Sequence, residues 1–315
     1  MKTKIRLSQR QASVIFSCLI GWAFSFLAIQ VFRDYAFGLF IWLPFSLGLV
    51  STLIYSYKND VPRKVLRNNA YLVLFLVCIG LLLFAWEGLI CLIMSAPLGI
   101  LFTYIGFIIA YYIKKSRLSK RALSLAAITT LSVPALMAFE NLNQREEAIR
   151  FVTTSIEIDA DAEEVWKNVI AFPQLREPDE FLFKTGIAYP ISATIEGSGA
   201  GAVRQCNFST GSFVEPITIW EQPKLLQFSV QEQPEPMQEL SFYDIHPNHL
   251  HGYWVSRKGQ FKLIPLPNGH TLLEGTTWYE NKIKPNVYWT LWSDYIVHKI
   301  HQRVLAHIKV VSERG

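Results

Sequence analysis

The chain has 315 residues, 51% of them hydrophobic and only 17% charged, against roughly 25% charged in an average soluble domain. That shortfall excludes a disordered chain and a wholly soluble one. Four cysteines, Cys18, Cys78, Cys91 and Cys206, are too few and too scattered for a disulfide framework or a zinc knuckle, and the first three lie in apolar runs, where Cys acts as a small hydrophobe.

Charge divides the sequence. Residues 1–139 carry 14 Lys and Arg against three acids, Asp34, Asp60 and Glu87. Residues 140–315 carry 16 Lys and Arg against 22 Asp and Glu, and hold all seven histidines. No basic stripe with interleaved aromatics occurs, so the overall charge of +5 does not indicate a nucleic-acid partner.

Residues 13–32 form an uncharged run of twenty, enough for one membrane span at a rise of about 1.5 Å per residue. Its length and the spans that follow argue against a cleaved leader. Residues 35–57 form a second run. Residues 70–113 carry one charge, Glu87, and are long enough for two spans across a core of roughly 30 Å. Residues 122–139 form a fifth, richer in Ser and Thr. Basic residues cluster at Lys2–Arg10, Lys58–Arg67 and Lys114–Arg121 and are sparse in the alternate connections. This pattern predicts a multi-pass protein of the cell (inner) membrane, N-terminus in the cytoplasm, residues 140–315 outside. If the fifth run does not cross, the second domain is cytoplasmic.

Glu87 is the one ionisable residue well inside an apolar run. A turn at Trp86-Glu87-Gly88 would leave its charge hydrated at headgroup level, which the neighbouring Trp favours. A turn at Ser95-Ala96-Pro97 would place it inside the span as a candidate functional carboxylate.

Residues 140–150 read as a polar, helical linker, and residues 151–315 as a soluble α+β domain. Val152, Thr154, Ile156 and Ile158 alternate on one face of a strand. Asp159 to Glu164 supply acidic residues for a helix start, followed by an apolar face of Val165, Trp166, Val169 and Ile170. Strands follow at 191–196, 202–208, 213–220, 225–231, 249–264 and 271–279. Gly-rich residues 197–201 join two strands, which fits a flexible hairpin rather than a phosphate cradle. Pro285 opens a closing helix that runs to about Ser312. A long antiparallel sheet must cover one face, and this helix is the natural cover.

The ordered run of strand, Asp-Ala-Asp-Ala-Glu-Glu-Val-Trp, helix and Phe-Pro, with the Glu215–Phe228 segment carrying a Trp-Glu-x-Pro turn and the long C-terminal helix, resembles START-like, polyketide cyclase-like domains of the SRPBCC superfamily. The resemblance covers roughly residues 151–312. It implies a helix-grip fold, a curved sheet wrapped on a helix around an apolar cavity. Members of that superfamily bind lipids, hormones and polyketides, and some are cyclases. No universal catalytic motif exists to carry over. The expected architecture is therefore an all-α transmembrane bundle (1–139), a linker (140–150) and a helix-grip domain (151–315).

Two histidine groups could carry chemistry. His249 and His251, two apart on a strand, would share a face. Asp294, His298 and His301 fall within about 60° of one another on the closing helix. Joined, these five would suit zinc or another first-row divalent ion. Unjoined, they would form a polar network with sheet groups such as Thr276, Glu274 or Tyr253, or a His–Asp general base. A nucleophile is missing from the sequence motifs, because Cys206 has no neighbouring His and no Gly-x-Ser-x-Gly occurs. Aromatic residues crowd the last strands and the helix start, and Tyr253, Trp278, Trp289, Trp292 and His298 are expected to line a cavity. The expected function is non-catalytic binding of a lipid or other hydrophobic small molecule at a membrane, with no cofactor unless a divalent metal. The alternative is a cyclase- or hydrolase-like enzyme using Asp294, His298 and His301.

Overall fold

A computed structural model describes residues 8–143 and 147–314. They form two compact units. One comprises Met1–Arg145 together with Glu239–His249; the other comprises Glu146–Gln238 and Leu250–Gly315.

The first unit is helical. Its helices are α1 (Gln9–Phe26), α2 (Leu43–Tyr55), α3 (Arg63–Leu83), α4 (Leu89–Lys115) and α5 (Ala122–Leu142). Short π-helical stretches, Leu27–Phe32 and Gly38–Trp42, extend α1 and precede α2. Among the described residues five stretches are long and apolar enough to cross a membrane: Gln9–Phe32, Gly38–Tyr55, Arg63–Leu83, Leu89–Lys115 and Leu118–Leu142. Residue 70–113 breaks into two helices at Trp86-Glu87-Gly88, and Ser95, Ala96 and Pro97 lie inside α4. Helix α1 starts with a capping box in which Ser8 and Gln11 each accept the other's backbone N–H, satisfying donors that a first turn leaves orphaned.

Helices α2 and α4 cross closely because both present glycine at the crossing. A Cβ added at Gly48 would lie 2.1 Å from the Thr103 carbonyl oxygen, and one at Gly106 would lie 2.0 Å from that of Phe45. Small residues at the crossing admit this close backbone approach. Several polar side chains inside this unit find internal partners, whereas Ser17 Oγ, Ser46 Oγ, Thr52 Oγ1 and Asn69 Oδ1 are buried with none among the described residues. Ser13 Oγ donates to the Ser51 carbonyl, Asn69 Nδ2 donates to Ser13 Oγ, and Trp22 Nε1 donates to the Val77 carbonyl. Ile15, Phe16, Leu19, Phe75, Ile93, Ile128 and Leu131 are exposed on the outer faces.

The second unit is a seven-stranded sheet with helices. Its elements are β1 (Arg150–Ile158), α6 (Ala162–Ile170), α7 (Phe181–Lys184), β2 (Pro190–Glu196), β3 (Val203–Phe208), β4 (Gly211–Glu221), β5 (Leu225–Ser229), β6 (Trp254–Pro265), β7 (Thr271–Asn281) and α8 (Asn286–Ser312). The order is β1-β7-β6-β5-β4-β3-β2, with every neighbouring pair antiparallel. Register shifts at Pro190/Ser192, Ile217/Ile219 and Ser256/Lys258 bend the strands as bulges do. One face packs Leu226, Phe261, Leu263 and Leu273 against Val304, Leu305 and Ile308 of α8 and Val165, Trp166 and Val169 of α6. This arrangement fits the helix-grip fold. Asp161 caps α6 by accepting the Glu164 N–H at 2.8 Å. The β2–β3 hairpin needs Gly197, Gly199 and Gly201, whose φ angles are 86°, 78° and 92°, a region that L side chains resist.

Two expectations fail. The strand expected from residue 249 begins at Trp254; Asn248–Leu250 is a 3₁₀ turn. Pro247 before it and Gly252 after it, with φ 72°, interrupt any extended pairing. The expected helical linker is not one helix: α5 ends at Leu142, residues 147–149 have no regular structure, and β1 begins at Arg150. Residues 144–146 of that linker lie outside the described residues.

Candidate functional site

The α8 stripe meets the inner face of the sheet. Thr154 on β1 places its hydroxyl 2.8 Å from His298 Nδ1 and 3.2 Å from His301 Nδ1. Thr277 on β7 is 2.8 Å from His301 Nε2, and Gln302 is 2.9 Å from His298 Nε2. Asp294 instead accepts from the Tyr279 hydroxyl at 2.5 Å and from Arg150 Nη2 at 2.8 Å. The partners are thus Thr154, Thr277 and Tyr279, not Thr276, Glu274 and Tyr253. Every ring nitrogen of the two histidines is engaged by a hydroxyl or an amide, so this stripe is spent on hydrogen bonds rather than set out as a ligand set. Burial, with His298 nearby adding to it, pushes His301 down to about 4, which keeps its imidazole neutral at physiological pH.

The expected cavity-lining residues do not share one face. Strand alternation turns Thr277 and Tyr279 toward α8 and Trp278 away from it. Trp289 is buried on α8, edge-on to Tyr288, while Trp292 and Tyr253 are half-buried. Trp278 lines a different space, an open groove of about 410 Å³ bounded by Ile149, Thr218, Gln227, Phe228, Ser229, Arg257 and Lys258. Lys258 Nζ sits 4.2 Å from the Trp278 ring centroid, a cation–π pair. Arg257 is committed to Glu280 by two hydrogen bonds of 2.9 and 2.8 Å.

Inside the sheet's curve lies a buried ion pair. Arg204 on β3 binds Glu215 on β4 and donates Nε to the Ile170 carbonyl. Its guanidinium lies 5.5, 5.4 and 5.6 Å from the rings of Phe172, Phe228 and Phe261. Burial pushes the Glu215 carboxyl up, and Arg204 pulls it back in part. The neighbouring Cys206 thiol is pushed up to about 12 by burial, so it is no nucleophile at neutral pH.

The remaining cluster belongs to the helical unit. Glu87, in the turn between α3 and α4, is buried rather than hydrated, with 6% exposure. Tyr35, in the connection between the two π-helical stretches, donates its hydroxyl to Glu87 Oε1 at 2.7 Å. His249 is equally buried. Its Nδ1 lies 3.4 Å from Glu87 Oε2, and its Nε2 lies 2.8 Å from Cys91 Sγ and 3.9 Å from Glu239 Oε1. Glu239 caps α4, accepting the N–H groups of Ile90 and Cys91 at 3.1 and 3.2 Å, where the helix dipole favours a carboxylate. Burial disfavours charge on His249, but Glu87 and Glu239 outweigh it and hold its pKa above the ordinary value. Burial raises that of Glu239. Cys91 is therefore no passive hydrophobe, and His249 and His251 do not form a pair. His251 is exposed and 3.4 Å from Glu235. The sequence singled out Glu87 and the His246–His251 segment separately, but gave no signal joining them to each other, to Cys91 or to Glu239.

No protein-family description matches the chain, and no curated protein matches it. Among solved structures it is similar, at low identity, to helix-grip proteins. A protein from Nitrosospira multiformis is 20% identical, with 51% of this chain and 94% of that one covered and a TM-score of 0.33. The Zhui aromatase/cyclase from Streptomyces sp. R1128 is 12% identical, with 53% and 95% covered and a TM-score of 0.36. Norcoclaurine synthase from Thalictrum flavum, in complex with dopamine and hydroxybenzaldehyde, is 12% identical, with 55% and 92% covered and a TM-score of 0.36.

Proposed function

We propose that this protein is a membrane-anchored helix-grip domain that binds a hydrophobic small molecule carrying an acidic group. The observation that carries this reading is the groove at Trp278. Its volume of about 410 Å³ falls in the range of small-molecule sites, roughly 300–1,000 Å³. Ile149, Phe228 and Trp278 offer apolar surface, and Thr218, Gln227 and Ser229 offer hydrogen bonds. Among the described residues Lys258 has an aromatic partner and no carboxylate, so its ammonium is available to an anion. The lining residues include the hydroxyls of Thr218 and Ser229 but no His, Asp or Glu to activate them, which favours holding over turnover. Five apolar helices with exposed Phe, Leu and Ile side chains favour anchoring in a bilayer. The Lys and Arg pattern favours a cytoplasmic N-terminus and an external second unit.

The test is a titration of the full chain in mild detergent with palmitate, read by tryptophan fluorescence, beside the matching fatty alcohol. Lys258→Met is expected to weaken palmitate about fivefold, the equivalent of about 1 kcal/mol for one exposed charge contact, and to leave the alcohol unchanged. Trp278→Ala is expected to weaken both more than about tenfold through lost apolar burial. Equal affinities for wild type and both variants would overturn the assignment.

A further inference from the structure

We propose that Glu87, Cys91 and His249 bind one divalent transition-metal ion, Zn²⁺ by their donor chemistry, in a closed structural site within the helical unit. Among the described residues these three each place one ligand atom within 4.8 Å of the others. Atoms that share one tetrahedral Zn²⁺ lie roughly 3.3–3.8 Å apart, so small side-chain rotations close the set. A thiolate, an imidazole and a carboxylate together match zinc better than magnesium or calcium, which take oxygen.

One further observation points to an ion. Among the described residues the buried His249 Nδ1 has no hydrogen-bond partner, although Glu87 Oε2 stands 3.4 Å away. Buried polar atoms are rarely left so.

The surroundings resemble the outer layer of a metal site. Tyr35 holds Glu87 Oε1, leaving Oε2 for a ligand role, and such supports fix ligand orientation. Glu239 Oε1, which accepts the Cys91 N–H at 3.2 Å, is near enough to supply a fourth oxygen. Binding moves the Cys91 thiol proton to solvent and oxidises nothing. The ion would then pin the Glu239–His249 segment to the α3–α4 turn.

The full chain is purified in mild detergent without chelator and its zinc is measured by mass spectrometry; one ion per chain is expected. The chelated protein is then titrated with Co²⁺, and a thiolate-to-cobalt charge-transfer band is expected. Cys91→Ser abolishes the band, and His249→Gln and Glu87→Gln weaken metal binding by more than about tenfold, while Cys78→Ser changes neither. A wild-type chain with no zinc and no cobalt band overturns the proposal whatever the variants do. So does metal retained equally by Cys91→Ser and His249→Gln.

Discussion

Acid should loosen the grip of α8 on the sheet, and His301 should be the cause. Its pKa stands at about 4 in the folded protein against an ordinary 6.5. Between those values the unfolded chain binds a proton that the folded chain refuses, so stability rises with pH across this window. It is lost as pH falls, by about 1.4 kcal/mol per pH unit and on the order of 3 kcal/mol in all. The cause is geometric. His301 sits between the hydroxyls of Thr154 and Thr277, two neutral groups, with His298 the nearby group that further disfavours its charge. The protection of β1 and α8 peptides in hydrogen-exchange mass spectrometry, measured on the full chain in mild detergent from pH 7 to pH 4, reads this directly. Wild type should lose protection toward pH 4, and His301→Gln, which cannot titrate, should lose less by about that same 3 kcal/mol. Histidine NMR should show the His301 ring unprotonated at pH 5. A midpoint at pH 6 or above, or equal losses in both proteins, would refute the reasoning.

The buried Arg204–Glu215 pair should behave as a mutual dependency. Glu215→Ala strands a guanidinium among three phenylalanine rings and should cost about 3–5 kcal/mol, whereas the double change Arg204→Met, Glu215→Leu should recover most of it, as chemical denaturation would show. Gly106→Leu should separate α2 from α4, because its side chain would enter the space of the Phe45 carbonyl; the variant should lose thermal stability in detergent, and an unchanged midpoint would contradict the close crossing.

Local chemistry made much of the fold legible. The alternation of Val152, Thr154, Ile156 and Ile158 located β1, acidic residues at Asp161 to Glu164 located the start of α6, and Pro285 located α8. Trp278 lies on the opposite face of β7 from Tyr279, a separation set by a strand's period of two that nearness in sequence does not show. β6 starts at Trp254 rather than at His249 because Asn248–Leu250 closes into a 3₁₀ turn, which the i, i+2 spacing of His249 and His251 does not reveal. The cluster at Glu87 was out of reach for another reason. Cys91 and His249 are 158 positions apart, and no local period encodes that meeting. Glu87 was visible as a lone charge in an apolar run, but burial next to Tyr35 depends on the connection between α1 and α2, which no propensity describes.

The central claim is that a helix-grip domain on a membrane anchor holds an acidic amphiphile at Trp278. Native mass spectrometry of the full chain, released from nanodiscs made with cell lipids, tests it most directly. The account predicts a retained small hydrophobic acid on the wild-type chain that is lost from Trp278→Ala and depleted in Lys258→Met. A wild-type chain that emerges bare, or an adduct that both variants retain in full, would contradict it.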